Sequence, residues 1–181
     1  INLDLNASRL LTQKHMIKRD RVWVQNFFKT GVWSTDVVGV TTDVDPGEIL
    51  QFDDANSDPI GVVDRYKEVL AESTGFMPNT LVLGARVKRV VRNHPDVVDR
   101  VKYTQRGIVT DEILASLFDV ENVVTARGVY NSAAEGATDN FTFIAPKDDM
   151  WLGYIDPVAS LDTPTAISLF AWTGLIPGAT N

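Results

Sequence analysis

The chain has 181 residues, 44% hydrophobic and 23% charged, with a formal net charge of -7 and no cysteine. That length suits one domain, or one domain with a lobe, able to bury roughly 70% of its unfolded surface. The missing cysteines exclude disulfides, thiolate nucleophiles and Cys-type zinc sites, and the acidic balance argues against a nucleic-acid binder, which needs clustered Lys and Arg.

The opening Ile1-Asn2-Leu3-Asp4 carries neither an initiator Met nor a signal-peptide pattern, which implies a start that was processed, cut away or left out. The spacing predicts one long helix over 8–28. Leu10, Ile17, Val24 and Phe28 form its apolar stripe, flanked by Met16, Trp23 and Phe27. Lys14, Lys18, Arg21 and Gln25 form a polar stripe, Ser8 is the candidate cap, and Gly31 stands just past the end. Asp20 falls on the wider apolar side and reads as a rim position or a charge with a partner elsewhere in the fold, not a catalytic carboxylate. Residues 32–57 read as short strands and loops, with Val37-Val38-Gly39-Val40 the strand candidate. Asp43, Asp45, Glu48, Asp53, Asp54 and Asp58 crowd the stretch that follows.

A second helix has Asp58 as N-cap, Pro59 at its first position and Gly75 past its end, with Val62, Val63, Tyr66, Val69 and Leu70 as apolar face. Leu81-Val82-Leu83 reads as a short buried strand ending at Gly84. A helix through Val87, Val90 and Val91 stops at Pro95, which opens another turn carrying Val97, Val98 and Val101. Thr110 caps a short helix that buries Ile113, Leu114, Leu117 and Phe118, with Asp111 and Glu112 favouring its dipole. Strand candidates follow at 122–126, 141–145, 150–155 and 165–172, and Asn131–Asn140 reads as an exposed loop. The order predicts an α+β (mixed α/β) class with an outlying long helix. No run of about 18 apolar residues is present, so no membrane span is expected.

Catalytic signals are sparse. There are two histidines, His15 and His94. A Ser-His-Asp triad or a two-His metal site would need them to converge with other groups, and the local pattern predicts a helix-surface His15 and a helix-terminal His94. The stretch Asp43-Val44-Asp45-Pro46-Gly47-Glu48 lacks the ligand ladder of an EF-hand and reads as a solvated acidic loop. Neither GxGxxG nor GxxxxGK[ST] occurs. Gly84-Ala85-Arg86-Val87-Lys88-Arg89 follows a strand and opens a helix, a conceivable anion site without the glycine pattern. Asn6-Ala7-Ser8 and Asn140-Phe141-Thr142 fit glycosylation sequons by chance. Arg86, Lys88, Arg89 and Arg92 lie near Arg100, Lys102 and Arg106. Nucleic-acid binding is the sharp reading of these charges. The interspersed valines instead predict a solvated helix face, whose charges could pair with a neighbouring subunit's acidic loop. No catalytic residue, cofactor or metal site is expected.

The phrases Phe76-Met77-Pro78-Asn79-Thr80-Leu81-Val82-Leu83-Gly84, Asn93-His94-Pro95-Asp96 and Lys102-Tyr103-Thr104-Gln105-Arg106-Gly107 serve no chemistry in that order. Further on stand Trp151-Leu152-Gly153-Tyr154-Ile155-Asp156-Pro157 and Ala171-Trp172-Thr173-Gly174-Leu175. Together they resemble the tailed-bacteriophage major capsid protein family, whose Hong Kong phage-type fold is shared with encapsulins. The resemblance implies a peripheral-domain part with a spine helix over 1–58, an axial domain over 59–146 with a central sheet flanked by helices, and a return into the peripheral domain over 147–181.

The family carries an N-terminal arm and an extended loop before the spine helix, and a final strand after the Trp-Thr-Gly phrase. The chain is therefore expected to be a subunit core truncated at both ends. The implied function is a structural, non-enzymatic head protein that self-assembles as pentamers and hexamers into an icosahedral shell. Such a protein resides in the virion and assembles in the host bacterial cytoplasm. Partners would be its own copies and scaffolding, portal or decoration proteins, with neither a membrane nor sequence-specific nucleic acid. An acidic wall would also leave enclosed DNA mobile. Subunit-contact candidates are Asn131, Ser132, Glu135 and Asp139 in the exposed loop, with Arg86, Arg89 and Arg106. The alternatives are an encapsulin-type compartment shell and a small α/β enzyme.

Overall fold

The computed structural model describes residues 3–42, 44–102, 109–158, 160 and 162–168. The described elements are α1 (Leu3–Phe27), β1 (Val38–Val40), β2 (Glu48–Leu50), α2 (Pro59–Thr74), β3 (Thr80–Gly84), α3 (Ala85–Asn93), α4 (Pro95–Val101), α5 (Asp111–Leu117), β4 (Asn122–Ala126), β5 (Val129–Asn131), β6 (Phe141–Phe143) and β7 (Met150–Gly153). The architecture is α+β.

Most boundaries follow local chemistry. Asp58 caps α2 by accepting from the Gly61 N–H, Pro59 opens the helix, and Gly75 closes it at φ 77°. The Thr110 hydroxyl caps α5 by accepting from Ile113 N–H. Three expectations fail. The first helix starts at Leu3, five residues early, and Ser8 donates its hydroxyl back to Asp4 O as an internal residue. In α2, Val69 is 37% exposed, while Pro59, Ile60, Val63 and Lys67 are the buried positions. Residues 165–168 form no strand, and 169–172 lie outside the described residues.

β3 is the centre of a mixed sheet ordered β4-β3-β7, parallel to β4 and antiparallel to β7. Period-two alternation sends its side chains to opposite faces. Leu81 and Leu83 enter the main core with Ile60 and Val63 of α2, Val91 of α3, Val97 of α4, and Leu114 and Phe118 of and after α5. Val82 and its cross-strand partner Trp151 face the other way. There Trp151, Phe28 and Ala145 form a second core with Trp23, Trp33 and Ile155. The Trp151 ring lies 5.6 Å from Trp33 and 6.4 Å, edge-on, from Trp23, which fastens the C-terminal end of α1 to the sheet.

Buried polar groups join the elements. Asn79, just ahead of β3, accepts from Ile155 N–H (2.9 Å) and the Thr80 hydroxyl (3.0 Å). Its amide donates to Ile155 O (2.8 Å) and Glu121 (3.4 Å). Its backbone carbonyl accepts from Glu121 and Asn122 N–H. One residue therefore holds the starts of β3 and β4 and the exit of β7.

Lys67, 4% exposed, crosses from α2 to the end of α5. It donates to the carbonyls of Phe118 (3.1 Å) and Asp119 (2.6 Å) and to the Asp119 carboxylate (2.8 Å). It satisfies carbonyls that the helix end leaves open, where Asp119 turns left-handed at φ 49°. Lys67→Met should cost about 2–3 kcal/mol, since the carbonyls lose a charged donor. Thermal denaturation should show a midpoint about 5–10 °C lower.

The Lys67 hydrogen bond, and then its charge, hold the Asp119 carboxyl below the usual carboxylate range. A depressed folded-state value stabilises the fold above the ordinary carboxylate range and loses that effect as pH falls through it. Asp119→Asn and the parent should accordingly differ in midpoint above about pH 5 and converge only once pH has fallen through the depressed folded-state value.

Candidate subunit-contact surfaces

The hairpin β5–β6 pairs Val129 with Phe143 and Asn131 with Phe141 around the predicted loop. Asn131 does more than sit in that loop. Its side-chain oxygen accepts from Ala133 N–H (3.0 Å) and Asn140 N–H (2.9 Å), and its amide donates to Asp139 (2.6 Å). Ser132 donates through both backbone N–H and hydroxyl to Asn140 O. Gly136 turns the tip at φ 82°. Asn131, Ser132 and Asp139 therefore close the loop on itself, and of the four predicted positions Glu135 alone makes no described hydrogen bond. The tip is preorganised, which lowers the ordering cost of any contact it makes.

One face of the hairpin was missed from the sequence. Phe141 is 66% exposed, and Val129 and Phe143 lie on the same open side. Tyr130, on the opposite side, carries the Arg21 guanidinium of α1 at 4.0 Å from its ring centre. The alternation Val129-Tyr130-Asn131 and Phe141-Thr142-Phe143 is the sequence signal, too short to stand out alone.

The predicted basic face divides. Arg86 pairs with Asp148 (3.0 Å). Lys88 is not solvated: it is 9% exposed and bonds Asp111 at the start of α5. The valine spacing cannot reveal this, because the partner comes from a different helix. Arg89 and Arg92 remain exposed, and Arg106 lies outside the described residues. The conceivable anion site at the start of α3 is occupied by the chain itself. Lys147 O accepts from Arg86 N–H (2.9 Å) and Val87 N–H (3.2 Å), and Asp149 O from Gly84 N–H (2.9 Å).

His15 is exposed on α1, while His94 is buried between α3 and α4. It is helix-terminal as expected, yet it meets Ser57 at 3.1 Å and stands 3.7 Å from the Asp96 carboxylate. Three features oppose a catalytic triad. Asp96 N–H donates to Nδ1 (3.3 Å), so the ring proton sits on Nε2 and points at Asp54 O (3.2 Å). The Ser57 hydroxyl gives its own proton to Asp54 O (2.8 Å), and Ser57 is 4% exposed. The Asp96 carboxylate is beyond hydrogen-bond reach of the ring. His94 caps α4 and ties it to the loop before α2. His94→Ala should cost about 2 kcal/mol by leaving the Asp96 N–H without its acceptor and the buried imidazole's space unfilled, read as a lower urea midpoint with unchanged slope.

A cavity of about 840 Å³ opens between the aromatic cluster and α2, lined by Phe27, Trp33, Val62, Tyr66, Leu70 and Tyr154 among others. No described histidine lines it. On its rim Asp148 is taken by Arg86, while partial burial, and then the Asp148 charge, push the Asp149 carboxyl up. Among the described residues no group of His, Asp or Glu could hold a metal.

No protein-family model matches the chain. Over 89 residues, 49% of the chain, it is 36% identical to the major capsid protein of Burkholderia phage BcepMu. The chain is related to phage major capsid proteins. It spans 29% of that capsid protein's length. A phage-related protein from Bordetella bronchiseptica RB50 shares the fold at a TM-score of 0.69 and 27% identity, over 91% of this chain and 53% of that one. Exposed apolar faces on ordered elements are candidate contact surfaces. Besides the hairpin, the outer half of α1 is one. Its apolar stripe runs from buried Phe28 through half-buried Val24 and Ile17 to Leu10, 55% exposed, and Leu3, 75% exposed. None of the described helices is long and apolar enough to cross a membrane.

Proposed function

We propose that the chain is the core of a phage major capsid subunit that self-assembles into the icosahedral shell enclosing a genome. The relationship to the BcepMu major capsid protein carries this reading. The surface supports it: a preorganised loop tip, an open apolar hairpin face and a helix with no buried residue are features of a subunit awaiting neighbours. In this reading 1–58 and 147–181 form the peripheral part around α1, and 59–146 the axial domain. Copies meet as pentamers and hexamers, with the tip at Glu135 near the capsomer axis. The protein's role is structural rather than catalytic, its place is the virion, and assembly takes place in the host bacterial cytoplasm. Many modest interfaces, repeated by symmetry, supply the stability. The test is expression of the full-length gene product followed by sedimentation and electron microscopy. Shells or capsomers are expected; a persistent monomer of the intact protein would sink the reading.

A further inference from the structure

Charge is segregated along the first third of the chain. α1 carries Arg9, Lys14, Lys18, Arg19 and Arg21 against Asp4 and Asp20. From Thr30 to Asp64 stand Asp36, Asp43, Asp45, Glu48, Asp53, Asp54, Asp58 and Asp64, with no Lys or Arg. The two blocks do not neutralise each other within the subunit. Among the described residues the ion pairs join Lys67 to Asp119, Arg86 to Asp148 and Lys88 to Asp111, none of them between these blocks. Some lobe carboxylates serve local turns: Asp36 accepts from Gly31 N–H, Glu48 from Asp45 N–H, and Asp58 caps α2. The carboxylates of Asp45 and Asp53 accept no described hydrogen bond, and both residues are exposed; Arg89 lines the shallow cleft beside Asp53 without pairing to it.

On the helix, Lys14, Lys18 and Arg21 share one side at spacings of four and three. Arg21 is held over Tyr130, so the hairpin fixes which way this side faces. Lys14 lies seven residues further out, about 10 Å along the axis, where α1 has left the body of the subunit. Leu10 and Leu11 are exposed beside it. A helix half with no buried side chain needs a covering surface, because isolated turns are marginal in water.

We propose that this outer half of α1 docks on the acidic lobe of a second copy of the chain, with Lys14 and Lys18 facing Asp45 and Asp53. This rests on the self-assembly reading and names one of its contacts. Two unlike patches on one chain that form no described ion pair with each other are complementary head to tail, which produces rings and lattices rather than closed two-fold dimers. Duplex DNA is the competing occupant of a basic helix. It would leave Leu10 and Leu11 uncovered and would face a chain of net charge -7.

The test compares full-length wild type with Lys14→Glu/Lys18→Glu, Asp45→Lys/Asp53→Lys and the four-fold swap, by sedimentation at low and high salt. Each reversed pair should lower the assembled fraction about tenfold at low salt, and the swap should restore it to within about threefold, as coupled charges require. Circular dichroism of each variant checks that the helices persist; if the helix variant unfolds, Lys14→Gln/Lys18→Gln replaces it and should show the same loss in smaller degree. Wild type that stays monomeric overturns the assembly reading and this contact together. Wild type that assembles while the reversed pairs assemble equally well overturns the contact alone. So does a helix variant whose only defect is lost binding of a duplex DNA probe.

Discussion

Gly84→Ala is expected to be the most damaging single-methyl change in this protein. A Cβ at Gly84 would stand 2.6 Å from the carbonyl oxygens of both Pro146 and Lys147. Backbone cannot step aside as a flexible side chain can, so the 146–149 segment must move. That segment accepts from the N–H groups of Gly84, Arg86 and Val87, so moving it opens the junction of β3 and α3. Overpacking of this kind costs typically 1–3 kcal/mol, and each loosened hydrogen bond adds about 1 kcal/mol. A loss of about 4 kcal/mol is expected, read as a thermal midpoint lower by about 8–16 °C or as insoluble expression. Gly75→Ala is the informative control. Gly75 has open space around its Cβ position but a φ of +77°, so its cost is backbone strain alone, about 1 kcal/mol. Equal losses for the two would contradict the close-approach argument.

Asn79→Ala should be nearly as severe, by a different route. The substitution removes an acceptor and a donor that both serve Ile155, together with the contacts to Thr80 and Glu121. Ile155 N–H and C=O are left partly buried without those partners, at about 1–3 kcal/mol each before relaxation. A net loss of about 3 kcal/mol is expected. Hydrogen exchange should show it first at the ends of β3 and β7, ahead of α2. Asn79→Asp separates shape from chemistry. It keeps the acceptor, turns the donor toward Ile155 O into a second oxygen, and brings a charge near Glu121. It should therefore be no better than alanine above the carboxylate range and recover partly below it. Protection unchanged at the strand ends in Asn79→Ala would remove Asn79 as the knot of the sheet.

These two residues also show how unevenly the sequence discloses its structure. Gly84 and Asn79 both stand in the phrase Phe76–Gly84 that pointed to the capsid family, yet nothing local said why either is there. Asn79 is explained by Ile155, 76 positions away, and Gly84 by Pro146 and Lys147. Features that rest on neighbours along the chain were legible. Asp58, Pro59 and Gly75 mark α2 because capping involves groups within four residues, and Pro95 separates α3 from α4 for the same reason. The strand Leu81–Leu83 was legible because a continuous apolar run suits a sheet covered on both faces.

The candidate contact surfaces were harder. Asn131, Ser132, Glu135 and Asp139 lie at the end of β5 and in the exposed turn beyond it, and composition cannot distinguish a polar side chain that meets a neighbour from one that closes its own turn. Arg86 and Lys88 were read as a solvated face because helical spacing sees one helix at a time. Their partners, Asp148 and Asp111, arrive from a loop and another helix. The α1 apolar stripe is visible in its spacing. Spacing tells which residues share a side and says nothing about how far the rest of the subunit reaches along it.

The sequence by itself determined the α+β class, the caps and breaks of α2 to α5, the absence of thiol chemistry and the resemblance to phage capsid proteins. Each depends on composition or on residues a few positions apart. The tertiary structure alone decided that His94 is a buried clamp, that Lys88 is internal, that the hairpin leaves an apolar side open and that the outer half of α1 stands uncovered. Burial is a property of surfaces brought together from distant parts of the chain, and short-range patterns carry no record of which surfaces those are.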